Sequence, residues 1–285
     1  MRSAGVPGLC RAPLTTTEPM LRSLSQLFRS PAPAAHAPRV PEDQRWYVIG
    51  DIHGRCDLFE ALAAAIDADD LSAGQADTTV VLLGDLIDRG PDSAGAIAFA
   101  RGWQRRRAVR VLAGNHEEMF LESFEDTEML RHFLRHGGRE TVLSYGIDRT
   151  RYNALSLEEL QAEMARIVPA GDRDFLAAGE EWIEAGDYLL VHAGVNPLLP
   201  LGEQQRSDLL WIRNRFLDHP DAFSHVVVHG HTIFDAVEDA GTRIGIDTGA
   251  YRSGRLTALV LEGSARRIIQ AVEREGAIAI EHSGV

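Results

Sequence analysis

The sequence contains no lysine, since all 29 basic residues among its 285 are arginines. A Walker-A phosphate loop, the strand lysine of protein kinases and Schiff-base catalysis all need a lysine side chain. These three kinds of chemistry are therefore excluded.

Cysteine and long apolar runs are also scarce. The two cysteines, Cys10 and Cys56, are too few for a disulfide framework, so a reducing compartment is the default and we expect a cytoplasmic protein. No stretch approaches the roughly 20 apolar residues of a membrane-spanning helix, and we expect no membrane partner. The net charge of −13 argues against nucleic-acid binding, because a phosphate backbone attracts a basic surface.

Composition divides the chain into three parts. Residues 1–40 carry five arginines and one acidic residue, and they lack the continuous apolar region of a secretory signal. We expect a disordered tail over 1–44, a catalytic domain over 45–275 with a helical insertion around 117–180, and a C-terminal tail over 276–285.

Apolar runs predict an α/β fold that begins with parallel strands. The first three predicted strands end at Gly50, Gly84 and Gly114, which are spaced 34 and 30 residues apart. One strand–helix–strand crossover takes about 30 residues, so these strands are expected to be parallel neighbours. The predicted strands are Trp46–Ile49, Thr78–Leu83 and Val109–Leu112, and the predicted helices are Cys56–Asp69, Ser93–Trp103, Glu117–Arg135 and Leu157–Ile167.

The second half of the chain has a different pattern. Its last four predicted strands leave little room for helices between them, which favours antiparallel pairing. Together the two halves predict a mixed sheet or a two-sheet sandwich flanked by helices. The later strands are Tyr188–Val191, His225–Val228, Arg243–Ile246, Leu256–Leu261 and Ile268–Val272.

Polar residues beside glycine follow five of the predicted strands, where open α/β sheets place their ligand sites. Their carboxylate, amide and imidazole groups suit Mn²⁺, Fe or Zn²⁺ better than Ca²⁺ or a structural zinc ion. Six such ligands are too many for one catalytic metal and fit two metals that share a bridging ligand. The candidate ligands are Asp51, His53, Asp85, Asn115, His192 and His231.

This set of turns resembles the phosphoprotein phosphatase branch of the calcineurin-like metallophosphoesterases, particularly the small bacterial and phage serine/threonine phosphatases. The resemblance covers Trp46–Leu261 and implies a sandwich of two mixed β-sheets flanked by helices. It also implies two divalent metal ions, with Mn²⁺ in first place and Fe or Zn²⁺ as alternatives. Asp51 and His53 resemble ligands of the first metal and Asp85 resembles the bridging carboxylate. The second metal's remaining ligands would be Asn115, His192 and His231.

The same resemblance implies roles for the catalytic residues. His116 matches a histidine that is not a ligand and acts as general acid for the leaving alkoxide. Asp88 matches the carboxylate that orients it, and Arg89 matches an arginine that binds the phosphate. Arg213, two positions after a tryptophan, resembles the second phosphate-binding arginine, with Arg215 as a close competitor.

The expected function is hydrolysis of phosphate monoesters, most directly on serine/threonine phosphoproteins. One alternative is a diadenosine tetraphosphate hydrolase of the same superfamily. Asp88 favours the protein phosphatase, because symmetric hydrolases of the bacterial type usually carry a non-acidic residue at that position. A second alternative is a metal-binding scaffold without catalysis, which would have no need of an acid such as His116. The expected partner is a phosphoprotein or a small phosphoester, and the sequence does not predict an oligomeric state.

Overall fold

The computed structural model describes residues 37–284, which form two β-sheets and a set of flanking helices. The strands are β1 Gln44–Ile49, β2 Asp77–Leu82, β3 Val109–Val111, β4 Trp182–Ala185, β5 Tyr188–Val191, β6 Val226–His229, β7 Glu238–Asp239, β8 Arg243–Gly245, β9 Arg255–Glu262, β10 Ala265–Arg274 and β11 Ala277–Gly284. The helices are α1 Cys56–Ser72, α2 Ser93–Gln104, α3 Asn115–Glu122, α4 Thr127–Phe133, α5 Arg139–Ser144, α6 Arg149–Ala154, α7 Leu157–Ile167, α8 Ala170–Ala177, α9 Arg206–Trp211, α10 Asn214–Leu217 and α11 Ala250–Ser253. A π-helical turn covers Leu134–Gly138 and a 3-10 turn covers Leu201–Glu203.

The strands form one sheet of six and one of five. The first has the order β11-β10-β9-β1-β2-β3 and the second has the order β4-β5-β6-β8-β7. Parallel and antiparallel pairs occur in both sheets. The expected fold, two mixed sheets flanked by helices, is therefore confirmed.

Alternation along the central strand β1 explains how the layers pack. Trp46 and Val48 point into the core between the two sheets. Tyr47 and Ile49 point to the opposite face, where they join the core formed with the helices. Successive side chains of a strand face opposite sides, so a continuous apolar run places β1 in the middle of a three-layer core.

The predicted pairing of the early strands is confirmed, and that of the later strands is partly wrong. The strands β1, β2 and β3 are parallel neighbours, and β9 and β10 are antiparallel. However, β6 and β8 pair in parallel, and β8 and β9 lie in different sheets. A parallel connection needs a crossover of about a dozen residues, which the segment between β6 and β8, including the short strand β7, supplies without a helix.

Both predicted tails differ from the structure where it describes them. Val40 is fully buried and its N–H donates to the carbonyl of Gly263 at 3.0 Å, so ordered packing begins ahead of β1. Residues 277–284, expected in the C-terminal tail, form β11, which pairs along its length with β10. The turn between them has positive φ at Glu275 and Gly276, as in tight hairpins. The rest of the N-terminal tail, residues 1–36, lies outside the described residues.

The single helix predicted over Glu117–Arg135 is two helices. The first ends at Glu122, and Asp126 begins the second, because its Oδ1 accepts from the N–H groups of Glu128 and Met129 at the start of α4. An aspartate at this position satisfies N–H groups that have no partner inside the helix. Within residues 37–284, no helix is both long and apolar enough to cross a membrane.

Candidate dinuclear metal centre

The polar turns predicted from the sequence converge at the carboxyl ends of parallel strands from both sheets. Asp51 and His53 follow β1, Asp85 follows β2, and Asn115 begins α3 after β3. From the other sheet, His192 follows β5 and His231 follows β6. All six side chains are buried. The structure therefore brings together the complete predicted ligand set.

Asp85 lies at the centre of the cluster and faces histidines with both of its oxygens. Its Oδ2 is 3.6 Å from Nε2 of His53, and its Oδ1 is 3.5 Å from Nε2 of His192. Two groups of three residues share this aspartate, and the possible ligand atoms of each group lie within 4.8 Å of one another. A carboxylate common to two such groups has the position that a bridging ligand requires. The groups are His53, Asp85 and His116, and Asp85, His192 and His231.

Asp51, expected as a ligand of the first metal, lies beside His53 of the first group. Its Oδ2 lies 3.9 Å from Nε2 of His53, and both its oxygens accept from the main-chain N–H of His231. It therefore borders the first group, and His116 occupies the third place in that group. The carboxylate also joins the two sheets, since Asp51 and His231 come from different ones.

At the second group, His192 and the neighbouring Asn115 face each other with acceptor atoms and no proton between them. Nδ1 of His192 lies 2.7 Å from the carbonyl of Leu83 and must donate to it, so Nε2 of the neutral ring carries a lone pair. That Nε2 lies 2.9 Å from Oδ1 of Asn115, which is also an acceptor. Two acceptors at this distance repel each other unless a cation or a proton stabilises them. The donor set of this group therefore fits a divalent metal.

The tautomer of His53 is fixed by a main-chain carbonyl, as that of His192 is. Its Nδ1 lies 2.8 Å from the carbonyl of Ile87, which leaves Nε2 facing Asp85. Burial lowers the pKa of His53 to about 3 and the pKa of His231 to about 2. Neutral imidazoles with one nitrogen bound to a carbonyl are the form in which histidine ligates metals.

The backbone around the centre is held in an uncommon conformation. Positive φ occurs at five residues that are not glycine and lie in the predicted turns, and such strain concentrates at functional sites. Glycine beside them allows close approach: a Cβ on Gly114 would lie 2.4 Å from Oδ1 of Asp85, and one on Gly230 would lie 2.1 Å from Oδ1 of Asp51. The five residues are His53, Asp85, Asp88, Arg89 and His231.

His116 and Asp88 form a buried pair at the edge of the first group. Nδ1 of His116 lies 2.5 Å from Oδ2 of Asp88, and Nε2 lies 3.9 Å from Oδ2 of Asp85. Burial by itself would lower the pKa of His116, but the carboxylates of Asp85 and Asp88 raise it above its ordinary value. A histidine held in this way can keep a proton near neutral pH.

Arg89 extends over the same group. In the structure its guanidinium donates to Nε2 of His53 at 2.7 Å and to Nε2 of His116 at 2.8 Å, and it stacks 4.9 Å from the ring centre of Tyr251; a bound phosphate would take over these N–H donors. A planar cation with several N–H donors at this point suits the oxygens of a phosphate.

Arg213 and Arg215 are both exposed at the start of α10. Burial and the charge of Arg213 lower the pKa values of His192 and His231, so the charge of Arg213 reaches the second group.

The structure adds site residues that the sequence analysis did not assign. Glu117 is buried behind Asp85 and accepts from the N–H groups of Asp85 at 2.7 Å and Leu86 at 2.8 Å. The signal in the sequence that could have identified Glu117 is its position directly after His116. Asp247, judged from sequence not to be a ligand, is buried near Asp51, and its Oδ1 accepts from the N–H of Gly249.

Buried Asp, His and Asn side chains at the strand ends of a two-sheet α/β sandwich are an arrangement that suits a metal-dependent hydrolase. The sequence profile of the calcineurin-like phosphoesterases matches residues 45–248, and the chain belongs to this family. It is a hydrolase that acts on phosphoester bonds, in a family that uses divalent metals.

Its curated relatives carry two kinds of name. The serine/threonine-protein phosphatase 1 of Salmonella typhimurium is 30% identical over 76% of this chain and 93% of that protein. An asymmetrical bis(5'-nucleosyl)-tetraphosphatase of Bacillus velezensis is 26% identical over 74% of this chain and 86% of that protein. Among solved structures, a cold-active protein-tyrosine phosphatase of a psychrophilic Shewanella shares the fold, with a TM-score of 0.51, 17% identity and coverage of 85% of this chain and 83% of that one.

Proposed function

We propose that the protein is a dinuclear-metal phosphatase whose main substrates are serine/threonine phosphoproteins. The observation that carries this proposal is the buried pair of His116 and Asp88 beside the shared carboxylate of Asp85. A proton donor next to a metal cluster is needed for cleaving an ester whose alcohol is a poor leaving group, such as a serine or threonine side chain.

Two metal ions are the proposed cofactors, with Mn²⁺ as the first choice and Fe or Zn²⁺ as alternatives. Such ions lower the pKa of a bound water towards about 7 and neutralise charge on the phosphate. Asp51 and His53 would hold the first ion and Asp85 would contact both. The second ion would be completed by Asn115, His192 and His231.

The remaining residues act on the substrate. Nε2 of His116 donates a proton to the departing alkoxide, while Asp88 holds Nδ1 and favours the protonated ring. Arg89 and Arg213 donate to the phosphate oxygens and stabilise the charge that builds up on them. No lysine is needed for any of these steps.

Protein substrates are favoured by the Asp88-Arg89-Gly90 sequence and by the relative named as a serine/threonine-protein phosphatase. The second candidate is a dinucleoside tetraphosphatase, because relatives with that name cover a similar share of the chain. Both functions use the same metal centre, so only the choice of substrate separates them.

The deciding experiment is a paired turnover assay on Mn²⁺-loaded protein, with a phosphoserine peptide and diadenosine tetraphosphate at equal concentration. We expect a higher kcat/KM on the peptide. A higher value on the dinucleotide would overturn the protein-substrate proposal and leave the metal centre intact. Two bound metals without turnover of either substrate would instead support a binding scaffold. Parallel loading with Zn²⁺ or Fe²⁺ tests the choice of metal.

A further inference from the structure

The helical segment after α4 reaches the loop that carries Asp88 and Arg89. Gly137, in the π-helical turn, accepts from the main-chain N–H of Arg89 at 3.1 Å. A Cβ at Gly137 would lie 2.7 Å from Cγ of Arg89, and the φ of 111° at Gly137 also favours glycine. The segment therefore packs closely against the phosphate-binding arginine.

Thr141 makes the corresponding contact with Asp88. Its Oγ1 lies 2.6 Å from Oδ1 of Asp88 and 2.9 Å from the main-chain nitrogen of the same residue. Oγ of Ser93, at the start of α2, lies 2.9 Å from the same hydroxyl. All three side chains are buried.

The hydrogen-bond donors and acceptors at this hydroxyl have one consistent arrangement. An ionised carboxylate only accepts, so the single proton of Thr141 goes to Asp88. The main-chain N–H of Asp88, which also donates to Oγ of Ser93 at 3.0 Å, and the hydroxyl of Ser93 then donate to the two lone pairs of Thr141. With one donated and two accepted bonds, the hydroxyl is fully used and its direction is fixed.

Each oxygen of Asp88 consequently has its own partner. Oδ1 is held by Thr141, and Oδ2 is held by Nδ1 of His116. We propose that Thr141 is a positioning residue: by fixing the rotation of the Asp88 carboxylate it sets the direction in which Nε2 of His116 presents its proton. This inference rests on the proposed role of His116 as the acid.

The effect of Thr141 must depend on the leaving group if it acts through His116. An alkyl alcohol leaves poorly without a proton, whereas p-nitrophenolate leaves readily without one. Thr141→Val keeps the shape of the side chain and removes the hydroxyl, so the carboxylate loses the partner of Oδ1. Thr141→Ser keeps the hydroxyl and removes only a methyl group.

The chain offers a matched control on the same helix. Oγ of Ser144 accepts from the N–H of Ala94 at 3.1 Å and donates to the carbonyl of Thr141 at 2.7 Å, so its hydrogen bonds go to main-chain groups and not to Asp88. Ser144→Ala therefore removes a hydroxyl from the same junction between α2 and α5 while leaving the carboxylate untouched.

The test measures kcat on a phosphoserine peptide and on p-nitrophenyl phosphate for the Mn²⁺-loaded wild type and the three variants. For Thr141→Val we expect kcat to fall about 10-fold or more on the peptide and less than about 3-fold on the aryl ester, a share of what a general acid contributes. Thr141→Ser should recover most of the loss, and Ser144→Ala should resemble the wild type. An equal loss on both substrates, or the same loss in Ser144→Ala, would overturn the proposal.

A second readout does not require turnover. The proton between His116 and Asp88 is expected to give a far-downfield NMR resonance, identified by its loss in His116→Asn. It should shift or disappear in Thr141→Val and persist in Thr141→Ser and Ser144→Ala. An unchanged resonance in Thr141→Val would overturn the role of Thr141. Absence of turnover in the wild type, with the resonance behaving as expected, would count against the proposed function alone.

Discussion

Nδ1 of His116 lies 2.5 Å from Oδ2 of Asp88, so the imidazole ring presents its other nitrogen, Nε2, to the metal cluster. This relationship separates two possible roles of His116, because a proton donor and a metal ligand respond differently to mutation.

We predict that His116→Asn lowers kcat on a phosphoserine peptide by about 10²–10⁴-fold, the usual contribution of a positioned general acid. The metal content, measured by elemental analysis, should remain that of the wild type. A variant that loses one metal ion would show that His116 is a ligand, as its place beside His53 and Asp85 would then imply.

Unlike His116→Asn, the variant Asp85→Asn should lose bound metal. Asp85 is common to both three-residue groups, so its loss should remove most of the bound metal as well as the activity. Metal that binds only the folded state raises the free energy of unfolding, by about 2.7 kcal/mol at 100 times the dissociation constant. The wild type should therefore lose thermal stability when a chelator is added, whereas Asp85→Asn should be nearly insensitive to it. Equal chelator sensitivity in both proteins would contradict a bridging role.

The metal-free protein should have a pH dependence that originates in Glu117. Burial, together with the charge of Asp85, raises the pKa of Glu117 to about 8, above its ordinary value of 4.5. A raised pKa in the folded state means that folding favours the protonated carboxyl. The resulting stability is fully present below about pH 4.5 and is lost as the pH rises through about 8.

Thermal melts of chelated protein between pH 5 and pH 9 measure this effect. Glu117→Gln should flatten the decline relative to the wild type. Glu118→Gln is the matched control, because Glu118 is the next residue on α3 and instead contacts Arg206 and Trp211 at the surface. A decline of the same size in the wild type and in Glu117→Gln would exclude Glu117 as its source.

The two arginines of the predicted phosphate site should differ in their effect on inhibition by inorganic phosphate. Arg213, two positions after Trp211, is the arginine that the family resemblance assigns to the phosphate. A hydrogen bond between charged partners contributes about 1.5–3 kcal/mol, so Arg213→Ala should raise the inhibition constant about 10-fold or more. Arg215→Ala should leave it nearly unchanged. The reverse order would move the second phosphate contact to Arg215.

The sequence predicted most of the candidate site because its signals are local. Each turn joins a buried strand to a glycine and a polar side chain, and the ends of parallel strands meet in space. Thr141 had no comparable signal. A threonine inside a short helix looks like a packing residue, and its contact with Asp88 spans 53 positions of sequence.

The parts of the fold that were predicted wrongly depend on interactions that a pattern of apolar residues does not indicate. In β11 most side chains are exposed, including Ile278, and the strand forms through main-chain pairing with β10 after a tight turn. The parallel pairing of β6 with β8 depends on how the loop between them crosses the sheet. Neither feature places a distinctive residue type at a fixed spacing.

The candidate ligands come from both sheets, with Asp85 and Asn115 on one side and His192 and His231 on the other. Metal binding is thus thermodynamically linked to the packing of the inter-sheet core, where residues such as Val81 and Leu190 meet. A substitution in that apolar layer that alters the spacing of the sheets would be expressed as a change in metal affinity. The metal affinity of the protein can therefore be changed by substitutions at positions that never contact an ion.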